Sequence, residues 1–328
     1  MTETDLTVAV TGPTGTFGSG LMPLLESDDR VRRVVGVARS AVDPAELGWR
    51  KATYRQGDVR DPDALAEAFA GADVVVHLAF LIVGGSPEQS RAVNVEGTLN
   101  AFRAAAAAGA RRFVYASSVA AYGFHADNPV GITEDWPTRP ADRLFYAQEK
   151  AELETLLREE AEEHGEMDLY LLRPPIVVGP NAVGGKVTLP AWAGALLPWL
   201  PRRLPPVPVP VPDLPIQLVH EGDVGRALLQ CVVAAGPPGA YNIAADDTLT
   251  AGDVVRILGG IPVPLPTGPA HAAARLAAAV PGLPQPAQWV EALAHPAVMD
   301  TSRAKEELGW APQVSAADAL RETLGIPS

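Results

Sequence analysis

"FYAQEK" places Tyr146 and Lys150 four residues apart in a stretch of helical periodicity, so both side chains leave one face of a helix. Upstream, "YASSVAAYG" ends an apolar run and offers the hydroxyls of Ser117 and Ser118. A phenol ordinarily titrates at about 10, too high for ready proton exchange at neutrality. A neighbouring ammonium favours the phenolate and lowers that value, while a serine hydroxyl can orient and polarise a substrate oxygen. Taken singly, each residue has a plainer reading: Tyr and Lys recur at helical spacing by chance, and "SSV" can begin an ordinary loop. Taken together, Ser118, Tyr146 and Lys150 compose a proton-transfer trio.

A second chemical feature lies near the N-terminus. The apolar run "LTVAV" leads into "TGPTGTFG", residues 11 to 18, with Gly12, Gly15 and Gly18 at intervals of three. Gly12 permits a tight turn, Gly15 lets the backbone approach a pyrophosphate, and Gly18 lets the following helix pack closely on the strand. Thr16 and Phe17 open that helix, whose N-terminal amides and dipole attract phosphate. The plainer alternative is a tight corner without a ligand; a strand before and a helix after favour the dinucleotide. The next strand ends "VVGVARS", with Ala38 where a ribose-binding acid would fall and Arg39 beside it. A cation without that acid favours a 2′-phosphate, hence NADP over NAD. The alternative is that Arg39 is a solvated surface arginine.

These groups need a frame. Strand signals recur in "LTVAV", "VRRVVGVA", "TYRQGD", "ADVVVHLAF", "RRFVYASS" and "DLYLLRPP". Helical stretches such as "DPDALAEAFAG" and "VEGTLNAFRAAAAAGA" alternate with them, Asp61–Pro62 reading as a helix start and Gly109 as a stop. Apolar strands alternating with helices imply an α/β fold, a doubly wound parallel sheet covered on both faces. The expected division is a dinucleotide-binding domain over 1–178, to which 216–246 returns, and a smaller, mainly helical substrate lobe over 179–328. "LPPVPVPVPDLP" cannot be a central strand, since proline donates no ladder hydrogen bond, and reads as a surface crossing or pocket wall.

Composition bounds the partners. The 328 residues are 47% hydrophobic and 20% charged, with a formal net charge of −13 that opposes nonspecific binding to nucleic acid or an anionic membrane. Cys231 is the one cysteine, which excludes an intrachain disulfide and a cysteine-rich metal site; no metal is expected. "LPAWAGALLPWL" is broken by Pro190 and Pro198 and too short to span a bilayer, and the start "MTETDLTVAV" lacks a signal-peptide pattern. A cytoplasmic protein acting on a small molecule is the expectation.

With these motifs assembled, the chain resembles an extended short-chain dehydrogenase/reductase of the NAD-dependent epimerase/dehydratase family. The likeness runs through TGxxGxxG at 11 to 18, "GDVRD" at 57 to 61, "HLA" at 77 to 79 and "NVEGT" at 94 to 98. It continues in "SSVAAYG", Tyr146xxxLys150, "LRPPIVVGP", "VHEGDVGRA", "YNIA" and "ELGWAP". The resemblance implies a Rossmann domain with Asp58 and Val59 beside adenine, and Leu78 and Ala79 along the cofactor channel. Pro174 and Ile176 would lie near the nicotinamide, with Ser117 also at the cofactor. It makes Ser118, four residues before Tyr122, the better catalytic serine, and it implies a homodimer. His77 and Asn94 read as structural groups bracing the site, and His220 and Asp223 as anchors of the returning helix.

The resemblance also frames the substrate. Nucleotide-sugar members carry an arginine where this chain has Ile216, and a second near His295 or Pro296; Arg202 and Arg203 are weak substitutes. Ala120 and Ala121 stand where sugar dehydratases carry an acid pair, which opposes dehydration. Trp192, Trp199 and Trp289 suggest a partly apolar pocket, or merely core. The leading expectation is an NAD(P)-dependent oxidoreductase transferring hydride at a secondary alcohol or ketone. A nucleotide-sugar 4-epimerase with tightly bound NAD is the alternative, and a non-catalytic NADP-binding redox sensor a more distant one.

Overall fold

A computed structural model of the chain describes residues 4–82, 86–140, 144–182, 208–265, 295 and 297–327. Its strands in chain order are β1 (Leu6–Thr11), β2 (Val31–Ala38), β3 (Ala52–Gln56), β4 (Val74–His77), β5 (Arg112–Ala116) and β6 (Asp168–Arg173). There follow β7 (Ile176–Val178), β8 (Pro208–Pro212), β9 (Pro215–His220), β10 (Gly239–Asn242), β11 (Thr248–Thr250) and β12 (Ile261–Leu265). Seven of them form one parallel sheet in the order β10-β6-β5-β4-β1-β2-β3. The chain leaves β1 toward β2 on one side and returns to β4 on the other. The crevice beyond the carboxyl ends of β1 and β4 is therefore the topological switch point, where ligands gather in such sheets.

Alternation along each strand feeds two cores. Leu6, Val8, Val10, Val74 and Val76 face one side, where Leu21, Met22 and Leu25 of α1 (Thr16–Ser27) meet Val224, Leu228 and Val232 of a returning helix. Ala9, Val35, Val37 and Val75 face the other, against α2 (Pro62–Phe69), α4 (Gly97–Ala107) and α5 (Phe145–Glu163). A short α3 (Pro87–Arg91) precedes α4; the returning helix is α6 (Glu221–Val232), followed by α7 (Ala251–Ile257), α8 (Ser302–Glu307) and α9 (Ala316–Leu324). Each such valine, leucine or methionine side chain contributes about 1.5–3 kcal/mol when fully buried.

Local signals act as their chemistry requires. The Asp61 carboxylate accepts from the amides of Asp63 (3.1 Å) and Ala64 (3.2 Å), capping α2 ahead of Pro62. Gly109, at φ +74°, follows the end of α4. Asp223 ties the C-terminal segment to α6 by accepting from the amides of Gln313 (2.8 Å) and Val314 (3.2 Å), while Trp310 Nε1 donates to its carbonyl at 2.9 Å. His220 caps α6, its Nδ1 accepting from the Gly222 amide at 3.1 Å.

Two features depart from the sequence reading. The proline-rich run enters a strand, β8, and the stretch after residue 246, expected to be helical, supplies β11 and β12. β8 pairs in parallel with β12, and proline alternates with Val, Ile or Leu in both. Only every second residue can then donate, which serves one partner, and among the described residues the ribbon has two strands. Trp192, Trp199, Trp289, Arg202, Arg203, Pro296 and "LPAWAGALLPWL" lie outside the described residues. No helix among the described residues is long and apolar enough to cross a membrane.

The contact of α1 with α6 is made by glycine. A Cβ on Gly20 would lie 2.2 Å from the Glu221 carbonyl oxygen, and one on Gly225 would lie 2.2 Å from that of Gly20. Backbone sits on backbone, so no side chain can yield. Gly225→Ala should lower unfolding free energy by about 1–3 kcal/mol, read as a shifted urea midpoint with unchanged slope.

Candidate active site

The site begins at the turn after β1. Gly12 adopts φ +69°, and a Cβ there would stand 3.0 Å from the Ala79 amide nitrogen; one on Gly18 would stand 2.1 Å from the Pro13 carbonyl oxygen. Gly15 precedes α1 without a side chain capping its amides. Thr16 and Phe17 are half-buried in the first turn of α1. The turn thus presents bare backbone at the head of a helix.

Thr11 joins this turn to the loop after β4. Its Oγ1 accepts from the amides of Leu78 (3.2 Å) and Ala79 (3.3 Å) and lies 2.9 Å from His77 Nδ1. His77 Nε2 lies 3.0 Å from Thr98 Oγ1, and that hydroxyl donates its one proton to the Asn94 carbonyl. His77 Nε2 therefore donates to Thr98, and Nδ1 accepts from Thr11. Burial, with the nearby Lys150 charge, pushes the imidazole down to about 3. His77 is a neutral brace.

The same loop reaches the tyrosine and lysine. Lys150 Nζ stands 3.7 Å from the Phe80 ring centroid, and Tyr146 meets that ring edge-on at 5.5 Å. Leu81 is clamped by Asn94, which accepts from the Leu81 amide (2.7 Å) and donates to its carbonyl (3.0 Å) and to Glu149 Oε2 (2.7 Å). Asn94 sits in one π-helical turn, Ala92–Glu96, between α3 and α4. Such a turn commonly aims a side chain inward at a functional site.

Tyr146 and Lys150 occupy successive turns of α5. Lys150 is 2% exposed and donates to Tyr115 Oη (2.9 Å) and the Ala116 carbonyl (2.7 Å) at the end of β5. Burial pushes its amine down to about 7, opposed by the charges of Glu154 and Glu149. Burial also raises the Tyr146 phenol, and a hydrogen bond with Ser118 opposes that rise. The sequence reading expected the ammonium itself to acidify Tyr146. The geometry instead turns Lys150 Nζ toward Tyr115 and Ala116, 5.8 Å from the Tyr146 ring centroid, and gives the counteracting bond to Ser118.

Ser118 caps a 3-10 turn, Val119–Tyr122, by accepting from the Ala120 amide at 3.2 Å. That turn is tied to the end of β6 by Val119 N–H donating to the Pro174 carbonyl at 2.9 Å. Ser117 points elsewhere: its Oγ donates to buried Glu154 at 2.6 Å.

Arg39 is exposed after β2, and Gln56 Nε2 donates to its carbonyl at 2.9 Å. Asp58 is held below the usual carboxylate range by Arg60, 2.7 Å away, with Arg39 adding to the effect. Val59 is buried against Gly97, where a Cβ would come within 2.5 Å of its Cγ2. Ile176, on β7, is 56% exposed, and Ile216 packs into the small core with Val178 and Leu249. Sequence reasoning missed Thr11, Phe80, Tyr115, Glu149, Glu154 and Arg173. Only Glu154 carried a signal, standing one helical turn after Lys150.

Fold and site together define a doubly wound α/β protein with its candidate chemical groups near the switch-point crevice. The sequence profile of the NAD dependent epimerase/dehydratase family matches residues 8–244. The chain belongs to that family. An uncharacterized protein of Mycobacterium tuberculosis is 29% identical over 322 residues, spanning 95% of this chain and 82% of its own length. UDP-glucose 4-epimerase of Thermotoga maritima, solved with UDP-glucose, superimposes with a TM-score of 0.72 at 21% identity over 98% of each chain. The Thermus thermophilus UDP-glucose 4-epimerase complex with NAD gives 0.71 at 23% identity, again over 98% of each. These two likenesses are of fold.

A nicotinamide dinucleotide fits the residues present. The α1 N-terminus has no side-chain cap to compete with phosphate for its amides, and the backbone packed against Gly12 and Gly18 holds the turn that presents them.

The buried amine has a consequence for stability. Its folded value of about 7 lies below the ordinary 10.5, so between them the unfolded chain holds the proton that the folded chain releases. Stability therefore rises with pH across that window, while below it the cost of burying the charge is fully present. The cofactor-free protein should gain on Lys150→Met by roughly 1.4 kcal/mol per pH unit at most between neutrality and pH about 10, measured by urea unfolding.

Proposed function

We propose that this chain is a nicotinamide-dependent oxidoreductase acting on a secondary alcohol or ketone through Ser118, Tyr146 and Lys150. The observation that carries the reading is one continuous path. The glycine turn touches Ala79, Phe80 next to it covers Lys150 and Tyr146, and Tyr146 is bonded to Ser118. The cofactor supplies a carbon that accepts or donates hydride. Tyr146 Oη exchanges the proton of the substrate oxygen, and Ser118 Oγ orients that oxygen and the phenol together. Lys150 carries positive charge close to the phenol and the crevice, and its value near neutrality lets it take up or release a proton.

NADP is the proposed cofactor. Ala38 offers no carboxylate at the end of β2, and exposed Arg39 stands close enough to Asp58 to act on it electrostatically. A 2′-phosphate would find a guanidinium there. Dehydration lacks support because Ala120 and Ala121 fill the turn after Ser118 with methyl groups.

A nucleotide-sugar 4-epimerase is the second reading, favoured by the family and by the fold shared with two UDP-glucose 4-epimerases. Mass spectrometry of ligand released from the purified protein, followed by a carbonyl screen with both reduced cofactors, separates the two. Consumption of reduced cofactor supports the oxidoreductase. Retained cofactor with no net nicotinamide absorbance change on a sugar nucleotide supports the epimerase.

Tyr146→Phe should lower turnover by about 100-fold or more while cofactor affinity holds; an undiminished rate overturns the role of the phenol. Arg39→Ala should weaken NADPH about tenfold and leave NADH unchanged, as read by fluorescence titration. Equal effects on both cofactors would refute the 2′-phosphate contact.

A further inference from the structure

One buried ion pair lies outside the chemistry described so far. Glu154 and Arg173 are 0% and 1% exposed. Arg173 Nε and Nη2 donate to the two Glu154 oxygens at 2.8 and 2.5 Å. Arg158 adds a third bond at 2.9 Å, and the carboxyl stays ionised below the ordinary range against the upward push of burial. The fourth bond comes from Ser117 Oγ at 2.6 Å. On its other side, Arg173 Nη1 donates to Tyr122 Oη at 2.6 Å, which donates to Asn242 Oδ1 at 2.8 Å.

A buried pair of this kind is weak evidence for stability, because apolar residues of similar volume often serve as well. Its attachments are more informative. Glu154 stands one helical turn beyond Lys150 on α5, and Arg173 ends β6 beside Pro174. Ser117 directly follows β5 and is covalently joined to Ser118, which bonds Tyr146. Tyr122 closes the 3-10 turn that Ser118 caps. Every element that carries a reacting group is thus tied to the same carboxylate.

We propose that Glu154 is a positioning residue: by accepting the Ser117 hydroxyl, it fixes the backbone that holds Ser118 against Tyr146. The role rests on the reading that Ser118 and Tyr146 act together on the substrate oxygen. Arg173 keeps the carboxylate charged and aimed. Ser117 is the link, so its hydroxyl serves the protein interior.

The test compares two double variants of the full chain. Glu154→Gln/Arg173→Met and Glu154→Leu/Arg173→Met both remove the ion pair, but only the first keeps an acceptor for Ser117. A purely structural pair predicts equal turnover from the two. Positioning predicts that they share a melting temperature within a few degrees and a common KM, while kcat of the leucine version is at least tenfold lower. Crystal structures supply a second readout independent of turnover. The Ser118–Tyr146 hydrogen bond should persist in the glutamine version and be broken in the leucine version. Equal kcat, or an intact bond in the leucine version, overturns the proposal. If the wild-type chain turns nothing over, the catalytic reading fails by itself and the crystallographic contact still decides the positioning role.

Discussion

Lys150 carries an ammonium into a place where water scarcely reaches, and a charge so placed needs partners at close range. It finds them in the Ala116 carbonyl, the Tyr115 phenol and the face of Phe80, with the carboxylates of Glu149 and Glu154 near enough to act on it. Burial still wins over those charges and brings the amine close to neutrality. The surroundings of the site follow from meeting this demand. β5 must end where its last carbonyl can accept, α5 must present the lysine to it, and the loop after β4 must fold a ring across the open side.

That loop owes its course to the sheet topology. Because β4 lies beside β1, Thr11 at the end of one strand can hold the amides that follow the other. The neutral imidazole of His77 continues the same chain of hydrogen bonds into Thr98 and Asn94, and Asn94 returns to the loop at Leu81. The glycine turn, the Phe80 ring and the Tyr146–Lys150 face are thereby held as one surface. The charge pair of Glu154 and Arg173 likewise joins α5 to the end of β6 and to Ser117, just after β5.

The central strands were legible because each is a run of apolar, β-branched residues long enough for one sheet crossing, and helix boundaries such as Asp61 carry their own capping chemistry. The glycine turn and the Tyr146–Lys150 spacing were legible for a similar reason: a tight turn and a helical face are local properties. β8 and β12 were hidden because proline penalises a strand only where a donor is needed, and a two-stranded ribbon needs few. The direction in which Lys150 acts was also hidden, since Tyr115 lies 35 residues earlier in the chain.

Sequence alone therefore determined the class of fold and the family, and it named Ser117, Ser118, His77, Tyr146 and Lys150 as candidate groups, because periodicity, turn chemistry and short motifs are written in neighbouring residues. Tertiary structure decided how those groups are used. It turned Ser117 inward and left Ser118 for the tyrosine, it made His77 a neutral brace, and it set Lys150 on Tyr115 and Ala116. Each of these outcomes depends on a distance between segments far apart in the chain. Hydrogen-bond geometry and burial, which exist only once the sheet has assembled, set those distances.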